Sequence, residues 1–164
     1  RLAKTGMLRS AHMLGNEEEI IFAATDLLAD TKLAPELSNE AHYYRAKAYL
    51  DAGKTDGAME DLKVLAKDTR NVYGAEAKYK VAQIYFDGGQ TDKAEQEVLN
   101  YIEVSTPHTY WLARSFVLLA DVYMKLGRNL DAKQYLLSLK QNYQADDDIA
   151  GMIESRLEKL KTEN

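Results

Sequence analysis

With 164 residues, 46% of them hydrophobic and 29% charged, the chain has an ordinary globular make-up and enough length to bury a core. Its net charge of −5, with no basic cluster, argues against nucleic-acid binding, which needs cationic surface to neutralise phosphates. The lack of Cys excludes disulfides and thiolate metal sites, and no apolar run approaches the roughly 20 residues of a membrane helix.

Apolar spacing and punctuation residues predict nine helices. The first, near 1–14, stops at Gly15, and Asn16 with Glu19 forms a capping-box pattern that opens the second, near 17–31. Pro35, a natural first-turn residue, introduces the third, near 36–52, which stops at Gly53. Thr55 can cap the fourth, near 55–69, with Asp56 at its positive end. The fifth, near 74–88, stops at Gly89, and Thr91 with Asp92 opens the sixth, near 91–105. Pro107 belongs to the first turn of the seventh, near 108–126, which stops at Gly127, and Asn129 caps the eighth, near 129–143. The ninth, near 147–161, has Ile149, Met152, Ile153, Leu157 and Leu160 on one stripe and charges on the other face, as a helix shielding the end of a stack should.

Three segments share one frame. Ala46, Tyr49, Gly53 and Ala58 recur as Ala82, Tyr85, Gly89 and Ala94, and again as Ala120, Tyr123, Gly127 and Ala132. Small residues permit close helix crossings, the Tyr lies three positions on along the same face, and the Gly suits a left-handed helix end. A weaker copy runs from Leu8 to Ile20 around Gly15. Leu62 and Leu65, Val98 and Ile102, and Leu136 and Leu139 continue an apolar stripe on the second helix of each pair. The pattern resembles the tetratricopeptide repeat (TPR) family, whose repeat is a pair of antiparallel helices. The glycines fall at 15, 53, 89 and 127, spaced 38, 36 and 38 apart, against a usual period of about 34. In this stretched spacing the chain is similar in style to bacterial cell-envelope TPR proteins, such as the TPR lipoprotein of the barrel-assembly machinery and the TPR partner of the Tol–Pal system.

The resemblance implies an all-α, right-handed TPR-like superhelix of four helix-turn-helix hairpins plus a C-terminal capping helix. It implies one domain, with repeats near 1–34, 39–72, 75–108 and 113–146. First helices of TPR repeats line a concave groove that holds protein ligands. Carried over position by position, groove contacts fall at Glu40, Tyr43, Lys47, Leu50 and Asp51 in the second repeat. They fall at Glu76, Tyr79, Gln83, Phe86 and Asp87 in the third, and at Arg114, Val117, Asp121, Met124 and Lys125 in the fourth. In the first they are Leu2, Thr5, Arg9, His12 and Met13. Aromatic anchors beside adaptable polar groups suit a protein-binding surface, although Tyr43, Tyr79 and Phe86 could instead pack between hairpins. The carboxylate clamp of chaperone-binding TPR domains does not carry over, because Glu76 opposes the basic character its positions require. First helices are mildly basic and second helices acidic, so the groove should prefer a neutral or mildly acidic segment.

Chemistry-bearing constellations are few. His12, His42 and His108 stand in separate segments without metal-ligand spacing, and no Ser has an elbow, oxyanion loop or nearby His. Asp146, Asp147 and Asp148 read as an acidic helix start rather than a cation site, and Gly88-Gly89 lacks the Lys-Ser/Thr of a phosphate loop. Trp111 is placed at the junction of the third and fourth repeats, with a partner anchor as the alternative.

The expectation is therefore a non-catalytic protein-interaction scaffold without cofactor or metal. It takes a protein or peptide partner, binds no nucleic acid and inserts no segment into a membrane. A periplasmic or cell-envelope setting follows from the resemblance, with the cytoplasm as the alternative. The rival is a self-association module forming a homodimer, or a regulatory arm of a larger protein. The sequence opens at Arg1 without Met or an apolar leader, and reads as a piece of a longer chain.

Overall fold

A computed structural model describes residues 2–104 and 106–162. Among them it forms nine helices and no strand: α1 Leu2–Leu14, α2 Glu17–Leu28, α3 Pro35–Asp51, α4 Thr55–Leu65, α5 Val72–Asp87, α6 Thr91–Glu103, α7 Thr109–Lys125, α8 Asn129–Asn142 and α9 Ile149–Thr162. The chain divides into two compact units, Arg1–Lys78 and Tyr79–Asn164, with the division inside α5.

One backbone device builds every hairpin. Gly15, Gly53, Gly89 and Gly127 have φ between +68 and +79°, the left-handed conformation that only Gly adopts without strain. The N–H of the next residue then reaches back to the carbonyl five positions earlier: Asn16 to Ala11, Lys54 to Tyr49, Gln90 to Tyr85 and Arg128 to Tyr123, at 2.7–3.2 Å. The same residue's carbonyl accepts the first bond of the following helix, from Ile20, Ala58, Ala94 or Ala132. A Schellman closure of one helix and the N-cap of the next thus share one residue. Because that residue is the cap, Thr55, Thr91 and Asn129 are the first helical positions, and the caps Lys54, Gln90 and Arg128 make no side-chain cap bond. The capping expected of those three residues is corrected accordingly. Asn16 does cap α2, accepting the Glu19 N–H at 3.2 Å.

Second helices end earlier than periodicity suggests where Asx chemistry competes with the helix. Asp30 accepts the Lys32 N–H and Asp68 accepts that of Arg70, so the chain turns before 31 and 69. Pro35 opens α3 as expected. Pro107 does not open α7: the Thr106 hydroxyl accepts the His108 N–H and turns the chain ahead of Thr109. The six-residue connections 29–34 and 66–71 accommodate part of the stretched period.

In the N-terminal unit, Leu8, Ala11, Ile20, Ala23, Ala24, Leu27, Ala41 and Ala48 form a core that joins α1, α2 and α3. Leu8 and Ile20 stand where other repeats have Ala and are equally buried, so the weakest copy of the frame still closes a full hairpin. Each large side chain buried here contributes roughly 1.5–3 kcal/mol. Ala46, Ala58, Leu62 and Leu65 carry the packing of α3 on α4. A buried carboxylate also joins these two helices: Asp61, 1% exposed, accepts from His42 Nδ1 at 2.7 Å and from Arg45 Nε and a terminal nitrogen at 2.9 and 2.7 Å. Burial pushes the Asp61 carboxyl up, but the hydrogen bonds of His42 and Arg45 outweigh it and hold the group below its ordinary value. The start of α5 is pressed onto the end of α4 and the turn after it, since a Cβ on Gly74 would stand 2.6 Å from the Leu65 carbonyl oxygen and 1.8 Å from that of Asp68.

In the C-terminal unit, Ala82, Ala94, Ala113, Ala120 and Ala132 are all buried, among Val98, Tyr101, Leu118, Leu119 and Leu136. Ile149, Ile153 and Leu160 of α9 join this core, and α9 packs on α8 and α7. Asp147 and Asp148 start that helix: Asp147 accepts the Ile149 N–H at 2.9 Å and the Asp148 carbonyl that of Met152 at 3.1 Å.

Gly53→Ala should cost about 1–2 kcal/mol from backbone strain alone, because nothing lies within 4 Å of the added methyl. Gly74→Ala should cost about 3 kcal/mol, because backbone must move. Urea unfolding of both variants checks this, and equal losses would contradict the close approach. Asp61, with a depressed folded pKa, stabilises above its unfolded value of about 3.9 and loses that contribution as pH falls through the folded value. Asp61→Asn should therefore cost roughly 1–3 kcal/mol at neutral pH and flatten the acid limb of stability against pH. Parallel curves for variant and parent would refute this.

Candidate functional site

On α3 and the adjoining part of α5 in the N-terminal unit, most of the positions carried over from sequence hold one another. Glu40 forms a bidentate pair with Arg9 of α1, at 2.8 and 2.9 Å, and that guanidinium keeps the carboxyl below the usual carboxylate range. Tyr43 donates to Glu76 Oε1 at 2.9 Å, and Lys47 donates to the Tyr43 hydroxyl at 3.2 Å with its ammonium 5.1 Å from the ring centre. Burial, then the Glu76 carboxylate, raises the Tyr43 phenol well above its ordinary pKa. Tyr43 also packs 4.5 Å from Tyr73, and His12 stacks on Tyr44 at 4.1 Å. The result is an aromatic row across α1, α3 and α5, half-buried at Tyr43, Tyr44 and Tyr73 and exposed at His12, with Leu50 half-buried and Asp51 exposed at its end. Glu76 is 8% exposed and acts from beneath the surface.

In the C-terminal unit the positions separate into a packed part and an open part. Val117 is 3% exposed within the core, so its side chain lines no surface and its place among the groove contacts is corrected. Tyr79 is nearly buried and sits under Arg114, whose guanidinium lies 4.8 Å from the Tyr79 ring and 5.9 Å from those of Tyr110 and Trp111. Arg114 donates to the hydroxyls of Tyr79 and Tyr110 at 2.9 and 3.0 Å, and Tyr110 donates to Asp148 at 2.8 Å. Tyr79 donates to Gln83, and Gln83 to Asp87. Trp111 fills the space against Tyr79, at 5.7 Å, as expected for the junction of α5 and α7.

The open part is a groove of about 620 Å³ lined by Phe86, Asp121, Met124, Lys125, Ser155, Arg156 and Lys159. Four of these were named from sequence. The other three come from α9, the expected capping helix, whose residues the carried-over positions do not include. Arg156 grips Asp121 through two bonds of 2.9 and 3.0 Å, so that carboxylate is already partnered. The signal for this was present: Arg156 continues the buried spacing of Ile149, Ile153 and Leu160, and a cation on such a stripe calls for a carboxylate opposite.

The expected charge contrast holds with the observed helix bounds. The first helices α1, α3, α5 and α7 carry eight Lys/Arg and six Asp/Glu, whereas α2, α4, α6 and α8 carry four and twelve. Among the described residues, no group of three or more His, Asp or Glu is arranged to hold a metal ion, and no helix is long and apolar enough to cross a membrane.

Two family models, each described as tetratricopeptide repeat, match residues 40–68 and 113–141, the hairpins α3–α4 and α7–α8. Those two hairpins are similar to tetratricopeptide repeats. Among solved structures the chain is similar to the crystal structure of MamA, at 21% identity and a TM-score of 0.63, covering 96% of each chain. It is also similar to two structures of nearly identical TPR-like repeats from a Podosopora anserina putative kinesin light chain. Both show 16% identity and cover 98% of this chain and 92% of theirs, with TM-scores of 0.60 and 0.58. At such identities the likeness is one of fold, all-helical and TPR-like. No curated protein matches the sequence.

Proposed function

We propose that the chain is a non-catalytic scaffold that binds a segment of a partner protein on its first-helix surfaces. Tetratricopeptide repeats generally mediate protein–protein interaction. The observation that carries the finer reading is the open groove of the C-terminal unit, where half-buried Phe86 and Met124 lie among polar and charged side chains. Such a mixture provides an apolar anchor point with a polar rim. Its walls are rigid helices, so little ordering entropy is lost on the protein side when a ligand docks. In the N-terminal unit the Tyr43, Lys47 and Leu50 face offers a second, flatter contact area. The proposed cell-envelope setting rests on the 36–38 residue repeat spacing.

Self-association is the alternative, and a specific feature favours it. Leu2, Met13, Leu14 and Phe22 are 91, 86, 78 and 68% exposed, an apolar concentration on the first hairpin that a second copy could cover.

Chemical cross-linking of the chain to its native partner, followed by peptide mapping, tests the scaffold reading. Cross-links should concentrate on Lys47, Lys125 and Lys159, and Phe86→Ala should weaken the complex about tenfold or more. Cross-links confined to Lys63, Lys93 and Lys133 on the second helices would contradict it. A link joining first hairpins of two copies would favour self-association.

A further inference from the structure

Three surface hollows of this chain differ in charge. The hollow on α1 and α2, lined by Met7, Phe22, Glu18 and Glu19, is acidic. The hollow on α8 and α9 holds three lysines and two glutamates, with Lys140 paired to Glu154 at 2.7 Å and Lys161 to Glu158 at 3.9 Å, which leaves a surplus of one cation. The α5–α7–α9 groove has the larger cationic surplus of the three: Lys125, Arg156 and Lys159 face a single carboxylate, Asp121.

That carboxylate is consumed. Arg156 engages both oxygens of Asp121, and the two charges cancel in place. The ammonium groups of Lys125 and Lys159 meet no carboxylate within 4 Å among the described residues, and both side chains are exposed. They therefore present two unneutralised cations to one groove, one from α7 and one from α9, beside the apolar surface of Phe86 and Met124.

We propose that this groove selects a partner segment in which an Asp or Glu side chain neighbours a bulky apolar one. In this arrangement α9 supplies half of the acid recognition. The proposal rests on the protein-binding reading above and adds the chemistry of the ligand. Phe86 and Met124 take the apolar side chain, and Lys125 with Lys159 takes the carboxylate. The Arg156–Asp121 pair ties α9 to α7 and so brings the two lysines to the same groove. A polyanion such as nucleic acid is disfavoured by the chain's own net charge of −5, whereas a short acidic segment meets only the local surplus. A volume of about 620 Å³ suits a few side chains rather than a folded domain.

Selection of a random peptide library displayed on phage against the whole chain tests this, with the Lys125→Glu/Lys159→Glu double variant as comparison. Both positions are exposed, so an unchanged thermal midpoint should accompany the variant. Enriched peptides should carry Asp or Glu next to Leu, Ile, Phe or Trp. They should bind the double variant about tenfold more weakly than the parent and lose affinity as salt is raised. Peptides enriched without acidic residues, or bound equally by parent and double variant, would overturn the acid selectivity while leaving the protein-binding reading intact. No enrichment over blank support would overturn both.

Discussion

In every hairpin one residue finishes a helix and begins the next. Asn16, Lys54, Gln90 and Arg128 each send their N–H back to a carbonyl five positions earlier and offer their own carbonyl to the N–H four positions ahead. The bond pair can form only if the preceding residue is left-handed, and Gly occupies that place each time. With no spare residue in the turn, the second helix must return directly along the first. The two Ala that flank the turn in three repeats then meet at close range. Ala46 and Ala58, Ala82 and Ala94, and Ala120 and Ala132 are all at most 1% exposed. Larger residues take the equivalent places in the first hairpin, Leu8 and Ile20, and the turn forms there unchanged. The turn, rather than the small residues, is therefore the element common to all four.

The surfaces built on this scaffold are more self-satisfied than a binding face read from sequence would be. Tyr43, Lys47 and Glu76 form one hydrogen-bonded chain, and Tyr79, Gln83, Asp87 and Arg114 form another. Such networks fix side chains in place and lower the entropy lost on binding, but they also occupy the donors and acceptors a ligand would need. What remains open in the C-terminal unit is the groove at Phe86 and Met124, with charges supplied by α7 and α9.

Most of the fold was legible because its determinants are local. Gly, Pro and capping signals placed the nine helices to within a few residues, and the recurrence of Ala46, Tyr49 and Gly53 gave the hairpin pairing. The misreadings also have local causes. Thr55, Thr91 and Asn129 look like caps, but the shared-residue turn moves the cap one position earlier. Asp30 and Asp68 end their helices early through side-chain bonds to backbone. The site was less legible because its partners are distant in sequence. Asp121 and Arg156, 35 residues apart, meet only when α9 lies against α7, and Asp61 finds His42 and Arg45 only after α3 and α4 pair. Carrying family positions forward named Phe86, Asp121, Met124 and Lys125 but could not name Ser155, Arg156 or Lys159, which lie outside the repeats.

The claim on which all of this rests is that the four turn amides are locked in long-reaching backbone bonds. Amide hydrogen exchange under native conditions reads them one by one. The N–H groups of Asn16, Lys54, Gln90 and Arg128 should exchange as slowly as helix-interior amides of the same unit, because each opens only when its hairpin opens. Exchange at the rate of an open surface turn would show that each helix ends independently of the next, and the account of the hairpins would be wrong.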